Sequence, residues 1–109
     1  MKVYSGKRFA GRTEVLVSDQ HQGFTKHLAH FVRHSPDGFE WGYGGSGPSD
    51  LARSILIDYF GGVGNPEATA KAEPLYQKFK FAFLASSSEE FALGETEIEE
   101  WISLHGAAD

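Results

Sequence analysis

Residues 34–52, His34-Ser35-Pro36-Asp37-Gly38-Phe39-Glu40-Trp41-Gly42-Tyr43-Gly44-Gly45-Ser46-Gly47-Pro48-Ser49-Asp50-Leu51-Ala52, restrict the fold more than any other part of the chain. Pro36 biases Ser35 toward an extended conformation, so any preceding helix should end by His34. Ser35-Pro36-Asp37-Gly38 has proline at the second turn position and glycine at the fourth, which reads as a turn. Phe39-Glu40-Trp41-Gly42-Tyr43 then alternates large aromatics with Glu or Gly, the period of a strand with three rings on one face. Gly44-Gly45-Ser46-Gly47 cannot be regular structure. Pro48 suits a first helical position, with Ser46 or Gly47 as N-cap and Asp50 in the first turn. The helix that follows, 48–60, is apolar on most sides through Leu51, Ala52, Ile55, Leu56 and Tyr59, which predicts deep burial. Gly61-Gly62-Val63-Gly64-Asn65-Pro66 stops it.

The remaining elements fall on either side. Lys2–Ser5 and Glu14–Val17 are β-rich and Ala10-Gly11-Arg12 can turn between them, a hairpin with Val3, Val15 and Val17 inward. Residues 20–33 are ambiguous: His27, His30 and His34 have helical spacing, but Leu28 and Phe31 make only a weak stripe. A second helix covers 67–85, with a break or a start at Pro74 and a core stripe of Leu75, Phe79, Ala82 and Phe83. Phe91-Ala92-Leu93 reads as a short edge strand. Thr96-Glu97-Ile98-Glu99 is a capping box for a last helix through Leu104, with Ile98, Trp101 and Ile102 inward. These segments add up to a single α+β domain over residues 1–109. A small antiparallel sheet, the N-terminal hairpin plus the aromatic strand 39–43, packs with about three helices.

The 109 residues include 40% hydrophobic positions and 15 aromatics, ample for one modest core and against disorder throughout. There is no cysteine, so disulfides and thiolate metal sites are excluded. No apolar run is long enough for a membrane span or a signal region, which points to a cytoplasmic domain. The net charge of −5 is segregated. Lys2, Lys7, Arg8, Arg12, Lys26 and Arg33 crowd the first 34 residues, whereas no Lys or Arg follows Lys80 and seven acids do. The acidic balance argues against an extended nucleic-acid groove. Exposed charge of this kind is also what ordinary solvated faces carry.

Chemistry concentrates at Gly44, Gly45, Ser46 and Gly47. Glycines let successive backbone N–H groups converge, and a helix N-terminus adds partial positive charge, so the geometry suits a phosphate or carboxylate. A tight strand-to-helix connection explains the same residues. Gly42, Gly44 and Gly47 have Gly-x-Gly-x-x-Gly spacing without the βαβ context of a dinucleotide site, and no Gly-Lys-Ser/Thr follows. Phe39, Trp41 and Tyr43 can stack a ring or fill the core, with Trp41 the ring expected to be partly exposed. The histidines 21, 27, 30 and 34 lack an acidic ligand at matching spacing, so no metal or other cofactor is assigned. His34 stands out as a polar group beside the turn. Gln77 and Lys80 share one helical face and can reach toward a ligand. His34, Glu40 and Ser46 have no nucleophile elbow and no paired carboxylates to support hydrolysis.

The run from His34 to Ala52 resembles a family of uncharacterised short proteins from bacteria and their phages. Tyr4-x-Gly6-x-Arg8 and Leu75-Tyr76-Gln77-x-Phe79-Lys80 resemble its flanking patterns. The family has no assigned activity. The resemblance implies that Arg8, His34, Glu40, Trp41, the glycine loop, Gln77 and Lys80 share one surface. The expected function is a non-enzymatic binding module, phage-encoded by that resemblance, that captures a nucleotide-like or other anionic small molecule; sequestering a host defence signal is one use. Two alternatives stay open, a protein–protein inhibitor of a host defence protein and a small enzyme using His34 and Glu40. A homo-oligomer stays open too.

Overall fold

In this computed structural model the described residues are 1–9, 12–30, 38–62, 64–87 and 89–105. Strand β1 (Lys2–Phe9) pairs antiparallel with β2 (Arg12–Asp19), and β2 with β3 (Phe24–His27). After three helical stretches the chain returns as β4 (Glu90–Gly94), antiparallel to the other side of β1, for a sheet order β3-β2-β1-β4. The helical stretches are α1 (Ser46–Tyr59), α2 (Pro66–Ala72) and α3 (Tyr76–Phe79), whose chain continues through a π-helical turn, Lys80–Leu84. Helix α4 (Glu95–His105) follows β4 directly. The class is the expected α+β.

Register decides which face of the sheet is inside. Tyr4 lies opposite Val17 and Leu93, and Gly6 opposite Val15 and Phe91. Tyr4, Val15, Val17, Phe91 and Leu93 are therefore on one face, and all are buried. Val3 points the other way and is 39% exposed, so Tyr4 takes the inward place expected of Val3. The Tyr4 hydroxyl donates to Asp58 Oδ2 on α1 at 2.7 Å, and Lys2 Nζ meets the same oxygen at 3.1 Å. Carboxylate and burial together push the Tyr4 phenol far above its usual range, burial contributing most.

Helix α1 is the centre of the packing. Every residue from Gly47 to Ile57 is buried, more than an amphipathic helix would show. Asn65 caps α2 by accepting from Glu67 N at 3.0 Å, with Pro66 as first helical residue. Pro74 lies in the break between α2 and α3, so the expected helix 67–85 is divided there. Helix α4 begins at Glu95, one residue before the expected box. Glu97 reaches back to Gly94 N at 3.2 Å, as a residue at the third helical position does.

Residues 39–43 are not a strand. Both edges of β1 are occupied, by β2 and β4, and β2 has β3 on its outer side. The segment instead crosses the helical side of the sheet on side-chain bonds. Thr13 Oγ1 donates to Phe39 O at 3.0 Å, and Arg8 Nη2 to Trp41 O at 3.0 Å. The three rings do not share one environment: Phe39 is half-buried, Trp41 is 1% exposed and Tyr43 is 50% exposed. The expectation that Trp41 would be the exposed ring is thus reversed, because without a pleat the side chains are no longer held on one face. Among the described residues no helix is long and apolar enough to cross a membrane.

Candidate functional site

The site starts from a local irregularity in the helix after Pro74. Straight α-helical spacing from Leu75 and Phe79 would turn Ala82 and Phe83 inward. In the structure Ala85 N donates to Lys80 O at 2.9 Å, an i to i+5 bond that widens the turn by one residue. The inward position passes to Leu84, fully buried, while Ala82 is exposed and Phe83 half-buried. Lys80, at the start of the widened turn, points inward and is only 4% exposed. Phe81 points out and is 62% exposed.

The Lys80 ammonium reaches the glycine loop. Its Nζ donates to Gly44 O at 3.0 Å and to Ser49 Oγ at 3.1 Å, and lies 4.3 Å from the centre of the Phe81 ring. Ser49 Oγ donates in turn to Gln77 Oε1 at 3.3 Å. Among the described residues no carboxylate comes within ion-pair distance of Lys80; the acids pair elsewhere, Glu40 with Arg8, Asp58 with Lys2 and Glu73 with Arg53. Burial lowers the Lys80 pKa, with no opposing charge to restore it.

The helix behind this lysine starts earlier than expected. Gly45 is the N-cap and Ser46 the first helical residue, so Pro48 stands third rather than first. Asp50 consequently lies beyond the first turn, and its fully buried carboxylate meets His30 Nε2 at 2.9 Å. The N-terminus of α1 carries no side-chain cap and no acid in its first turn. The loop is lined closely by its own chain. Gly42 has φ +92°, which favours glycine, and its N–H donates to Leu84 O at 2.8 Å. A Cβ on Gly47 would fall 2.7 Å from Glu40 Cβ, so glycine is required there for contact and not for conformation. Gly44 faces the Phe81 ring and Gly45 the Tyr43 ring.

Arg8, Glu40 and Trp41 make a second cluster. Arg8 Nη2 donates to Glu40 Oε1 at 2.8 Å, and the guanidinium lies 4.9 Å above the Trp41 ring. Glu40, its hydrogen bond above all, raises the Arg8 pKa further. The Trp41 ring meets Phe91 edge-on at 5.0 Å, and the Phe91 ring fills the space a Gly6 side chain would need. This cluster ties residues 40–41 to the sheet. Its link to the loop is the Glu40–Gly47 contact.

Of the residues singled out in the sequence, Gly44, Gln77 and Lys80 therefore converge, with Gly45 and Ser46 at the exposed start of α1 and Gly47 buried behind them. Arg8, Glu40 and Trp41 are neighbours of that group and act as its support. His34 lies outside the described residues. Ser49, which joins Lys80 to Gln77, closes the Gly44–Ser49 stretch that the sequence points to, although no motif gives its side chain a role of its own. Tyr43, whose alternation fits either a stacking ring or a core ring, is exposed, and so is Phe81, which no sequence pattern marks. Of the histidines, His27 sits exposed on β3 and His30 pairs with Asp50; among the described residues no three metal-type ligands cluster. Clefts of about 450 to 660 Å³ open near Met1 and Val3, near Arg12 and His30, and near Lys26 and Tyr59. Lys80 lines none of the three.

The chain belongs to the family of unknown function DUF6166, whose model matches residues 4–104. No curated protein and no solved structure is similar to it at a significant level.

Proposed function

We propose that this chain is a binding module, not an enzyme, that takes a nucleotide-like or other anionic small molecule at Gly44–Ser49. What carries the reading is Lys80, a residue only 4% exposed, whose ammonium has no carboxylate partner among the described residues and is set beside an uncapped helix N-terminus. A buried cation ordinarily has a counter-ion, because its desolvation is otherwise uncompensated. An anion against Ser46, Gly47 and Lys80 would supply one, using backbone N–H groups and the ammonium together. Tyr43 and Phe81, half or more exposed on either side of Gly44 and Gly45, offer rings on which a base could stack. That favours a nucleotide-like anion over a bare one.

A thermal-shift series with inorganic phosphate, nucleoside mono- and diphosphates and cyclic dinucleotides tests this. Stabilisation is expected from phosphate and more from a nucleotide. No shift with any anion would remove the proposal. The same exposed rings favour one second reading, a contact with a host protein. It is supported if the chain retrieves a stoichiometric partner from host lysate and the anions do nothing.

A further inference from the structure

The charges around Gly44–Ser49 limit which anion can sit there. Resting on that anion site, we propose that its ligand is a nucleotide-like phosphodiester with a single negative charge, held by the Lys80 ammonium, the N–H groups of Ser46 and Gly47 and the Tyr43 hydroxyl.

The donors are one full cation and several neutral groups. Of the three ammonium hydrogens of Lys80, two go to Gly44 O and Ser49 Oγ, and the third has no oxygen acceptor among the described residues. Ser46 and Gly47 open α1, and the first main-chain bond at this end is Ser49 N to Gly45 O. The N–H groups of Ser46 and Gly47 have no acceptor among the described residues, although Gly47 is buried, and Pro48 has no N–H to offer. Tyr43 lies across this turn. Its ring occupies the space a Gly45 side chain would need, and its hydroxyl stands 3.3 Å from where a Gly47 Cβ would be. The hydroxyl makes no hydrogen bond among the described residues, which leaves it free to donate at the same turn.

A second negative charge would find no partner. One ammonium and the partial charge of a helix start, about half a unit, balance a single charge and not two. Arg8 is already committed, to Glu40 Oε1 at 2.8 Å, Trp41 O at 3.0 Å and Glu89 Oε1 at 3.5 Å. Glu40 packs against Gly47, where a Cβ would fall 2.7 Å from its own, and Asp50 is fully buried further along the same helix. A terminal phosphate carries a charge of about −1.5 to −2 at pH 7, and the excess would face these carboxylates in a chain of net charge −5. A diester avoids that repulsion. It also extends from phosphorus in two directions, which suits two exposed rings, Phe81 against Gly44 and Tyr43 against Gly45.

The probes are AMP and its methyl ester, adenosine 5′-(methyl phosphate), with adenine chosen because stacking tolerates any base. They share base, sugar and phosphate, and at pH 8 they differ by one methyl group and one charge. Calorimetric titration of the full chain should show the ester binding about ten-fold more tightly than AMP. Tyr43→Phe keeps the ring, should leave Tm without ligand unchanged, and should weaken the ester about ten-fold through the lost bond to a charged group. AMP binding as tightly as the ester, or more tightly, would overturn the singly charged diester and leave the anion site standing. Unaltered affinity of Tyr43→Phe for the ester would overturn the proposed donors. If neither compound binds the unaltered chain, the anion site falls and the diester with it.

Discussion

Replacing Lys80 by methionine separates a lysine that serves a ligand from one that serves the fold. Methionine keeps most of the buried stem and removes the charge. The change loses two hydrogen bonds from a cation, to Gly44 O and Ser49 Oγ. Each is worth about 1.5–3 kcal/mol. It also removes the desolvation cost of an ammonium, several kcal/mol of opposite sign. Neither acceptor is stranded, since Gly44 is exposed to water and Ser49 keeps Gln77. The two contributions nearly cancel, so stability should change by no more than about 2 kcal/mol. A lysine paired to a buried carboxylate would instead cost about 3–5 kcal/mol on removal. The ligand response should differ sharply. At ten times its dissociation constant an anion adds about 1.4 kcal/mol to the wild-type chain. With an unfolding entropy of about 0.23 kcal/mol/K for 109 residues, that raises Tm by about 6 °C. Lys80→Met should show none of this rise. Thermal unfolding of both chains with and without phosphate or a nucleoside diphosphate decides it. An equal rise in both chains, or a loss of more than about 3 kcal/mol without ligand, would refute the reasoning. Binding should also weaken as pH climbs past the depressed Lys80 pKa, because only the ammonium attracts an anion.

Three further outcomes follow from the packing. Gly6→Ala puts a methyl group into the Phe91 ring, which is itself held against Trp41, so a loss of about 1–3 kcal/mol is expected in denaturant titration; an unchanged midpoint would mean that the ring can shift. Tyr4 should be the last tyrosine to ionise when ultraviolet absorbance is followed against pH, with Tyr59 also displaced upward by burial. Its folded pKa is raised, so the folded chain holds the proton longer; this part of the stability is intact below pH 10 and is lost as pH rises above it. Tyr4→Phe removes the bond to Asp58 but leaves Lys2 on that carboxylate, and should cost about 1–3 kcal/mol by the same titration.

Periodicity and punctuation carried most of the fold into view. The hairpin, the buried helix after the glycine loop, the break at Pro74, the edge strand and the last helix all follow from local pattern, because each is decided within a few residues of chain. What local pattern missed was decided at long range. Phe39–Tyr43 alternates like a strand, yet β4, arriving some fifty residues later, takes the edge of β1 that such a strand would need. Val3 and Tyr4 exchange places because the register with Val17 and Leu93, not the composition of β1, chooses the face. The site repeats this division. The glycine loop and Lys80 could be named from sequence, but their meeting is a long-range contact, across separations of 36 and 31 residues, that no local pattern contains. The π turn adds one residue between Phe79 and Leu84, so the next inward position passes from Phe83 to Leu84; Lys80, whose N–H still bonds Tyr76 O, lies one helical turn after the buried Tyr76 and shares its side. A regular helix would have turned Phe83 toward the core in place of Leu84. Which residue of this stretch is inside is thus decided by one inserted residue, and periodicity read along the sequence assumes none.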